Sequence, residues 1–481
     1  MNLMTLFPVL LAAQKLPIQA LMAIAALGGS AIIFLSYSNW RRAVKAAFII
    51  LLLEGAIRKW LFNSGQELVY FLKDAVLLGA YIRFYLAPDP ELRAWRIRAP
   101  GGVIALLAVV VALAGMNPNI GSIVLAAYGV KIYLFYIPLA FMMPYLFRSE
   151  KEMLKQLCWY AVMAAPICVL GIAQSKVSGE SALSVYAEGA GGVTMGDAAG
   201  TVRVTGTFSY ITGHTTFIIF FTTLHLALLM SNIKKFYWWL LLLDLPLLVG
   251  NGFMGGSRAS LFAVAFVVVG FILAGVFTRI TLNKSVILIM GVGSLVAVFA
   301  ASIIFASSMQ AWVSRATNSD TLQQRVVDHP FGTLDTAIKE NGLVGYGIGM
   351  THPAVDRLRN VLEIPRPAKV PPTYDSEMGQ IVVEVGFLGF FAWYALRFMV
   401  LYQSFDSFKN CRPGSLRTLL LAAFLLQIPY LMFSVVLNHF ANFMVWACYG
   451  LTLIPRLEST VRRRAPIKVE TPLLAERGQR I

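Results

Sequence analysis

Residues 257–277 read SRASLFAVAFVVVGFILAGVF and contain one charged side chain, that of Arg258. An α-helix needs roughly 20 predominantly apolar residues to cross the hydrocarbon core of a bilayer, and this stretch meets that requirement. It shows none of the alternation of apolar and polar residues that marks a transmembrane β-strand. The stretch therefore predicts a membrane-spanning α-helix.

The remainder of the 481-residue chain has the same character. Apolar residues make up 58% of it and charged residues 13%, whereas about 25% are charged in ordinary soluble domains. This composition excludes a soluble globular enzyme, a disordered chain and a disulfide-rich secreted module. It predicts an all-α, polytopic membrane protein with about 12–13 transmembrane helices and a large outer (periplasmic) loop.

The charges between the apolar runs predict the topology. Lysine and arginine collect in every second connection, so the positive-inside rule places those connections in the cytoplasm and the others outside. Residues 1–17 lack the early basic region and the cleavage site of a secretory signal, so we expect insertion to begin at the first span, in a plasma membrane. The predicted spans are 18–37, 43–57, 68–87, 101–117, 122–147, 154–176, 210–231, 236–253, 257–277, 284–308, 380–403, 416–437 and 439–455.

This span pattern divides the chain into four predicted regions. Residues 1–308 form an N-terminal transmembrane bundle of about ten spans, with a mobile outer flap at 177–209. Residues 309–379 form a large periplasmic loop that is partly helical, near 320–341. Residues 380–455 form the C-terminal transmembrane helices, and 456–481 form a basic cytoplasmic tail.

The formal net charge of +16 invites comparison with nucleic-acid-binding proteins. The basic residues, however, lie in short loops between apolar runs. That distribution is typical of topology setting and of contact with anionic headgroups. It predicts membrane lipids as partners and no nucleic acid.

Several charged side chains fall inside predicted spans, where a charge costs several kcal/mol and marks a candidate functional site. Glu54 and Arg58 are four residues apart and share one helix face, as a buried ion pair or a functional pair would. Glu384 lies about two turns beyond Glu377, inside the eleventh span. The others are Lys73, Asp74, Lys131 and Asp244.

Positive charge on the outer side opposes the topology rule and needs another reason. Arg58 and Lys59 end the second span on that side. Arg203 lies in the 177–209 loop, and Arg258 opens the ninth span. An anionic ligand at the outer leaflet is the simplest reason, because a guanidinium group binds phosphate oxygens at two points.

Acidic and histidine side chains on the same side are candidates for acid–base chemistry. Asp375 and Glu377 lead into the eleventh span, and His439 lies in the outer turn between the last two spans. His352 follows a glycine-rich turn at 345–349 and is either an ordinary loop histidine or a functional one. This turn lacks the strand and the lysine of a nucleotide motif, and the histidines lack metal-ligand spacing. We therefore predict no cofactor and no metal.

Four stretches of this outer side carry a resemblance to a known family. They read GGSRASL at 255–261, RVTGTF at 203–208, GYGIG at 345–349 and DSEMGQIVVEVGFLG at 375–389. In their order and shared outer location they resemble motifs of the bacterial O-antigen ligases and the related O-antigen and exopolysaccharide polymerases. In the fourth stretch, ligases carry a histidine where this chain has Asp375. EGAIRKW at 54–60 also resembles a subgroup of exopolysaccharide proteins.

The resemblance implies a GT-C-like, multi-span glycosyltransferase of the inner membrane. Its donor would be a glycan on polyprenyl pyrophosphate at the periplasmic face, and its acceptor a second glycan, with other polysaccharide assembly proteins as possible partners. It implies that cationic side chains hold the pyrophosphate, namely Arg258, Arg203, Arg58 and Lys59, supported by Glu54, Ser257, Glu384 and His439. It leaves the base open among Asp375, Glu377 and His352.

The departure at Asp375 favours a polymerase of repeat units over a lipid A–core ligase. Two other classes of function remain open from the sequence. A transporter or flippase of lipid-linked oligosaccharide would need polar residues along the whole depth of the membrane, whereas here the outer half dominates. A non-catalytic membrane scaffold would leave the buried charges unexplained.

Overall fold

The computed structural model describes residues 18–61, 69–89, 101–187, 202–277, 333–341, 343–367 and 376–464, together with 299, 310 and 313. In these residues the secondary structure is helical, and no β-strand is present. Six helical segments in this part of the chain are long and apolar enough to cross a membrane, as expected of an α-helical membrane protein. They are Ile123–Tyr145, Glu150–Ser175, Ile211–Leu229, Lys235–Met254, Arg258–Gly275 and Glu377–Asn410.

We number the α-helices in chain order. They are α1 (Ile18–Ser38), α2 (Trp40–Trp60), α3 (Leu72–Tyr81), α4 (Gly101–Gly115), α5 (Ile123–Leu134), α6 (Ile137–Met142), α7 (Glu150–Val162), α8 (Ala164–Ser175), α9 (Ile211–Leu229), α10 (Lys235–Met254), α11 (Arg258–Phe277), α12 (Thr333–Asn341), α13 (Pro353–Val361), α14 (Glu377–Asn410), α15 (Ser415–Gln427), α16 (His439–Thr452) and α17 (Ile454–Arg464). Asparagine and serine side chains accept backbone N–H groups at the starts of several of them, which satisfies donors that have no partner within the helix. These N-cap residues are Asn39, Ser122, Ser149, Ser376 and Asn438.

The chain forms two compact units. The first unit takes in Met1–Trp95, Leu146–Val268 and Thr281–Ser314. In it α1 packs on α3, α2 on α3, and α10 on both α8 and α9. Gly79 permits the close approach of α3 to α1, because a Cβ atom there would lie 2.3 Å from the carbonyl oxygen of Ile33.

The second unit takes in Arg96–Tyr145, Val269–Ile280 and Arg315–Ile481. Its central helix, α14, is broken at Gly386, which has φ 68° and ψ −176°. An unbroken helix of this length would extend for about 50 Å, well beyond the roughly 30 Å of a hydrocarbon core. Glu377 and Arg397 lie on opposite sides of the break and interact electrostatically, although a straight helix would separate them by about 30 Å. The helix therefore folds back at Gly386.

The predicted spans do not all coincide with these helices. The span predicted at 380–403 corresponds to the longer, broken helix α14. In the span predicted at 416–437 the α-helix ends early, because α15 ends at Gln427 and a short 3₁₀ turn, Pro429–Leu431, follows. Proline has no backbone N–H with which to continue the α-helical hydrogen bonds. The chain is then irregular up to Asn438, which caps α16.

Some predicted elements are described only in part. The helix predicted near 320–341 is observed as α12, and residues 320–332 lie outside the described residues. The span predicted at 284–308 also lies outside them, apart from residue 299. In the predicted flap, residues 204–209 are buried in the first unit.

Candidate functional site

The segment 203–209 packs directly on α2 in the first unit. Gly55 makes this possible, because a Cβ atom there would lie 2.4 Å from the carbonyl oxygen of Thr207 and 2.5 Å from the nitrogen of Ser209. The Thr207 hydroxyl donates to the carbonyl oxygen of Leu52 at 2.6 Å. Glycine at position 55 thus brings the stretches 54–60 and 203–208 into contact.

The same segment also contacts the turn that opens α11. The N–H of Val204 donates to the carbonyl oxygen of Met254 at 3.3 Å. Gly256, in the turn that follows, has φ 65°, a conformation that favours glycine. The stretches 203–208 and 255–261 are therefore neighbours, and Arg203 and Arg258 both lie on these joined backbones.

Lys59 and Arg58 form the core of what we call the cationic cluster. The ammonium of Lys59, a buried residue, donates to the Thr205 hydroxyl at 2.9 Å and to the carbonyl oxygen of Gly206 at 2.7 Å. Arg58 is also buried and donates from Nη1 to the Ser209 hydroxyl at 2.9 Å. Among the described residues, no carboxylate oxygen lies within 4.0 Å of either cation. Burial lowers the pKa of Lys59 from 10.5 to about 7. An anion bound beside it would favour the charged form of this side chain.

Glu54 does not form the ion pair with Arg58 that their spacing allows. Its carboxylate lies 2.8 Å from the ammonium of Lys73 on α3, and both side chains are almost completely buried. Lys73 also donates to the carbonyl oxygen of Tyr70 at 2.7 Å. The negative charge of Glu54 is thereby shared with Lys73, which leaves Arg58 in its contact with Ser209.

Gln174, at the end of α8, holds the turn that contacts Lys59. Its Oε1 accepts the N–H groups of Thr205, at 3.1 Å, and Gly206, at 2.8 Å. Its Nε2 donates to the carbonyl oxygens of Gly206, at 3.0 Å, and Leu183, at 2.9 Å. The side chain is buried, so one amide holds the N–H groups of Thr205 and Gly206 and the carbonyl oxygen of Gly206.

His214 of α9 lies between two glycines of the sequence motifs. A Cβ atom on Gly206 would lie 3.1 Å from its Nδ1, and one on Gly255 would lie 3.3 Å from its Cδ2. The imidazole is completely buried and close enough to Lys59 for an electrostatic interaction. It fills the space between the two glycine turns.

The other residues of the first unit that were predicted to bind or support the pyrophosphate adjoin these contacts along the chain. Arg203, Ser257 and Arg258 are each partly exposed. The Nε atom of Arg203 is buried and has no hydrogen-bond partner among the described residues. The carbonyl oxygen of Ser257 accepts the hydroxyl of Ser260 at 2.8 Å in the first turn of α11.

In the second unit, the glycine-rich turn packs on the break in α14. Tyr346 donates its N–H to the carbonyl oxygen of Val383 at 2.6 Å, and Gly347 donates to that of Glu384 at 3.0 Å. A Cβ atom on Gly386 would lie 2.0 Å from the carbonyl oxygen of Leu343. Glycine is thus required at position 386 by its backbone conformation and by the available space.

Glu384 and Glu377 form what we call the carboxylate cluster. Glu384 is buried and accepts the N–H of Thr351 at 3.0 Å, its hydroxyl at 2.7 Å, and the hydroxyl of Tyr133 at 2.8 Å. Glu377 accepts the N–H groups of Val435 and Val436, and the latter bond is 3.1 Å long. Both acids hold irregular segments of the backbone in place.

Arg397 completes this arrangement on the far side of the break. Its Nη2 donates to the carbonyl oxygen of Tyr430 at 3.1 Å, and its guanidinium interacts electrostatically with Glu377. Together these two side chains hold both ends of the irregular segment 430–436. The segment needs such partners because buried backbone N–H and C=O groups must be hydrogen-bonded within the protein.

His352 is the N-cap residue of α13. Its Nδ1 accepts the N–H of Ala354 at 3.1 Å, and the Tyr128 hydroxyl lies 3.1 Å from the same atom. Burial, followed by the positive charge of Lys131, lowers the pKa of His352 from 6.5 to about 3, against a contact with the backbone of Leu437. The imidazole is therefore neutral at pH 7 and already engaged in the fold.

The remaining candidates of the second unit are His439 and Asp375. His439 is the first residue of α16, and Asn438, its neighbour, caps that helix by accepting the N–H of Ala441 at 3.2 Å. Asp375 lies outside the described residues. Ser376, which follows it, caps α14 by accepting the N–H of Gly379 at 3.2 Å.

Several polar residues with defined roles in these contacts were not predicted as functional from the sequence. Arg397 is a charge inside a predicted span, which is the signal that singled out Glu384. Gln174 interrupts the end of an apolar run, but a lone amide gives no indication of its partners. The others are Tyr133, Thr205, Ser209, His214 and Thr351.

Comparison of the chain with models of known protein families, with curated protein sequences and with solved structures finds no match.

Proposed function

We propose that this chain is an inner-membrane glycosyltransferase that polymerises or ligates polysaccharide repeat units at the periplasmic face, taking them from a polyprenyl-pyrophosphate-linked donor. The observation that carries the proposal is the cationic cluster. Lys59 and Arg58 are buried, and among the described residues they donate only to neutral oxygens. A pyrophosphate group is the kind of anion that such donors stabilise.

The reaction follows from the chemistry of such a donor. A hydroxyl of the acceptor glycan attacks the anomeric carbon, a new glycosidic bond forms, and the bond from that carbon to the pyrophosphate oxygen breaks. The bonding electrons leave with the pyrophosphate, and cationic donors stabilise the developing charge. The activation energy is already present in the donor, so the reaction needs no nucleotide.

The acceptor hydroxyl must lose its proton to a general base. Glu377 and Glu384 use their oxygens to hold backbone segments, and His352 accepts a backbone N–H. We therefore assign the base to Asp375, at the position where the resembling ligases carry a histidine. A carboxylate can act as a base near neutral pH where burial raises its pKa.

The test is a reaction of the purified full-length chain in lipid nanodiscs with a polyprenyl-pyrophosphate-linked oligosaccharide. We expect longer glycan to form, with one molecule of free polyprenyl pyrophosphate released for each transfer. Arg258→Ala should lower the rate by at least ~100-fold, with an unchanged amount of folded protein. Arg412→Ala, at an exposed site between α14 and α15, is the matched control. Full activity of Arg258→Ala would contradict the proposal.

One observation favours a second candidate, a transporter or flippase of lipid-linked oligosaccharide. The break at Gly386 makes α14 a discontinuous helix, and such helices are common at the substrate sites of transporters. Vesicles containing the chain would then move labelled lipid-linked oligosaccharide between leaflets without lengthening its glycan. Lengthening without movement between leaflets excludes this candidate.

A further inference from the structure

We propose that Gln174 is a positioning residue for the cationic cluster, an inference that rests on the proposed function. Its side chain holds the backbone of Gly206, whose carbonyl oxygen accepts from Lys59. Because the amide is neutral, it leaves the charge of Lys59 available to the pyrophosphate of the donor.

Gln174 and Lys59 share an acceptor. Nε2 of Gln174 and Nζ of Lys59 both donate to the carbonyl oxygen of Gly206, at 3.0 Å and 2.7 Å. The opposite edge of the amide, Oε1, accepts the N–H groups of Thr205 and Gly206. The glutamine side chain therefore holds the carbonyl oxygen of Gly206, which accepts from Lys59, and the backbone of Thr205, whose hydroxyl is the second acceptor.

The backbone that Gln174 holds contains a glycine with a positive φ angle. Gly206 has φ 55°, and its neighbours in the segment are buried. Glycine loses more conformational freedom on folding than any other residue, so this peptide needs external hydrogen bonds to keep one orientation. Gln174 supplies three of them.

The amide of Gln174 can form hydrogen bonds that neither a carboxylate nor an apolar side chain can form at this position. A glutamate could accept both N–H groups, but it could not donate to Gly206, and it would bring a negative charge next to Lys59. An apolar side chain would leave buried backbone groups without partners. Of these side chains, the amide alone accepts both N–H groups and donates to the carbonyl oxygen of Gly206 without adding a negative charge beside Lys59.

The test compares Gln174→Glu with Gln174→Met in the purified full chain in nanodiscs. The probe is farnesyl pyrophosphate, and both its affinity and the thermal unfolding temperature are measured. Gln174→Glu keeps two of the hydrogen bonds and should unfold at a higher temperature than Gln174→Met. It should nevertheless bind the probe more weakly than Gln174→Met, and at least ~10-fold more weakly than the wild type, because the new carboxylate neutralises Lys59.

A purely structural glutamine would produce the same order in both measurements, with Gln174→Met the weaker in each, and this result would overturn the proposal. Gln403→Glu makes the same chemical change in the second unit, where Gln403 accepts the Tyr449 hydroxyl at 2.6 Å, and it should bind the probe like the wild type. If the wild type does not bind farnesyl pyrophosphate, the pyrophosphate site of the proposed function fails. If the wild type binds it and Gln174→Glu binds it equally well, only the role of Gln174 fails.

Discussion

The cationic cluster of the first unit and the carboxylate cluster of the second use buried charge in opposite ways. Lys59 and Arg58 donate to hydroxyl and carbonyl oxygens, and among the described residues neither has a carboxylate oxygen within 4.0 Å. Glu384 and Glu377 accept several N–H and O–H groups from irregular backbone segments. A buried charge whose hydrogen bonds hold the backbone stabilises the fold, whereas one left uncompensated destabilises the fold and favours ligand binding.

This difference leads to a general expectation for substitutions. In the carboxylate cluster they should reduce the amount of folded protein and change the reaction only through that loss. In the cationic cluster they should abolish the reaction and leave the fold as stable as before or more stable. The four predictions below test this contrast, beginning with the largest effect.

Gly386→Ala should be the most damaging substitution. The new Cβ atom would lie 2.0 Å from the carbonyl oxygen of Leu343, and the backbone has φ 68°. We expect a loss of more than about 4 kcal/mol of stability, observed as little or no monodisperse protein after extraction in detergent. Gly102→Ala is the matched control, because nothing lies within 4 Å of a Cβ atom there. Normal yields of Gly386→Ala would show that the break in α14 does not need glycine.

Lys59→Met should separate function from stability in the first unit. Methionine has nearly the same shape and removes a buried cation, so the unfolding temperature should stay equal or rise. Glycan transfer should fall by about 100-fold or more, because one of the groups that stabilise the leaving pyrophosphate is lost. Lys45→Met is the control, since Lys45 forms a partly exposed ion pair with Glu152. A strongly destabilised Lys59→Met with normal transfer per folded molecule would place Lys59 among the structural residues.

Hydrophobicity alone predicts much of the fold. The apolar run at 257–277 contains α11, and the run at 210–231 contains α9, each with ends that agree within about two residues. Hydropathy does not respond to backbone dihedral angles, so the break at Gly386 inside a continuous apolar run could not be predicted. The early end of α15 was missed for a related reason, because Pro429 stops the helix while the sequence remains apolar.

The candidate site could be predicted only as a set of residue types. Positive charges on the predicted outer side pointed to the stretches 54–60, 203–208 and 255–261, which lie together in the first unit. The partner of each charge could not be predicted, because pairing depends on which helices pack together. Glu54 is four residues from Arg58 and yet its carboxylate lies beside Lys73. Contacts between distant parts of the chain, such as that of Gln174 with Gly206, have no sequence signal.

Glu377→Gln should have a moderate effect on stability and little effect on the reaction. The amide oxygen can still accept the N–H groups of Val435 and Val436, but the electrostatic interaction with Arg397 is lost. We expect a loss of roughly 1–3 kcal/mol in the free energy of unfolding and normal transfer per folded molecule. Asp375→Asn should show the reverse, with transfer abolished. If Glu377→Gln stops transfer in stable protein, the base is Glu377 and the contrast between the two clusters fails at this residue.

His352 should give the smallest effect, a pH dependence of stability in the second unit. Its pKa is lowered from 6.5 to about 3 by burial and then by the charge of Lys131, so between these values the unfolded chain binds a proton that the folded chain does not. The contribution of neutral His352 is therefore complete above pH 6.5 and is lost progressively as the pH falls. Lowering the pH from 7 to 5.5 should cost the wild type about 1 kcal/mol more than it costs His352→Asn, in which asparagine still caps α13. Unfolding temperatures of both proteins at the two pH values measure this difference, because the other titrating groups cancel in the comparison. Identical pH dependence would mean that His352 titrates normally in the folded protein, and it would then become available as a base.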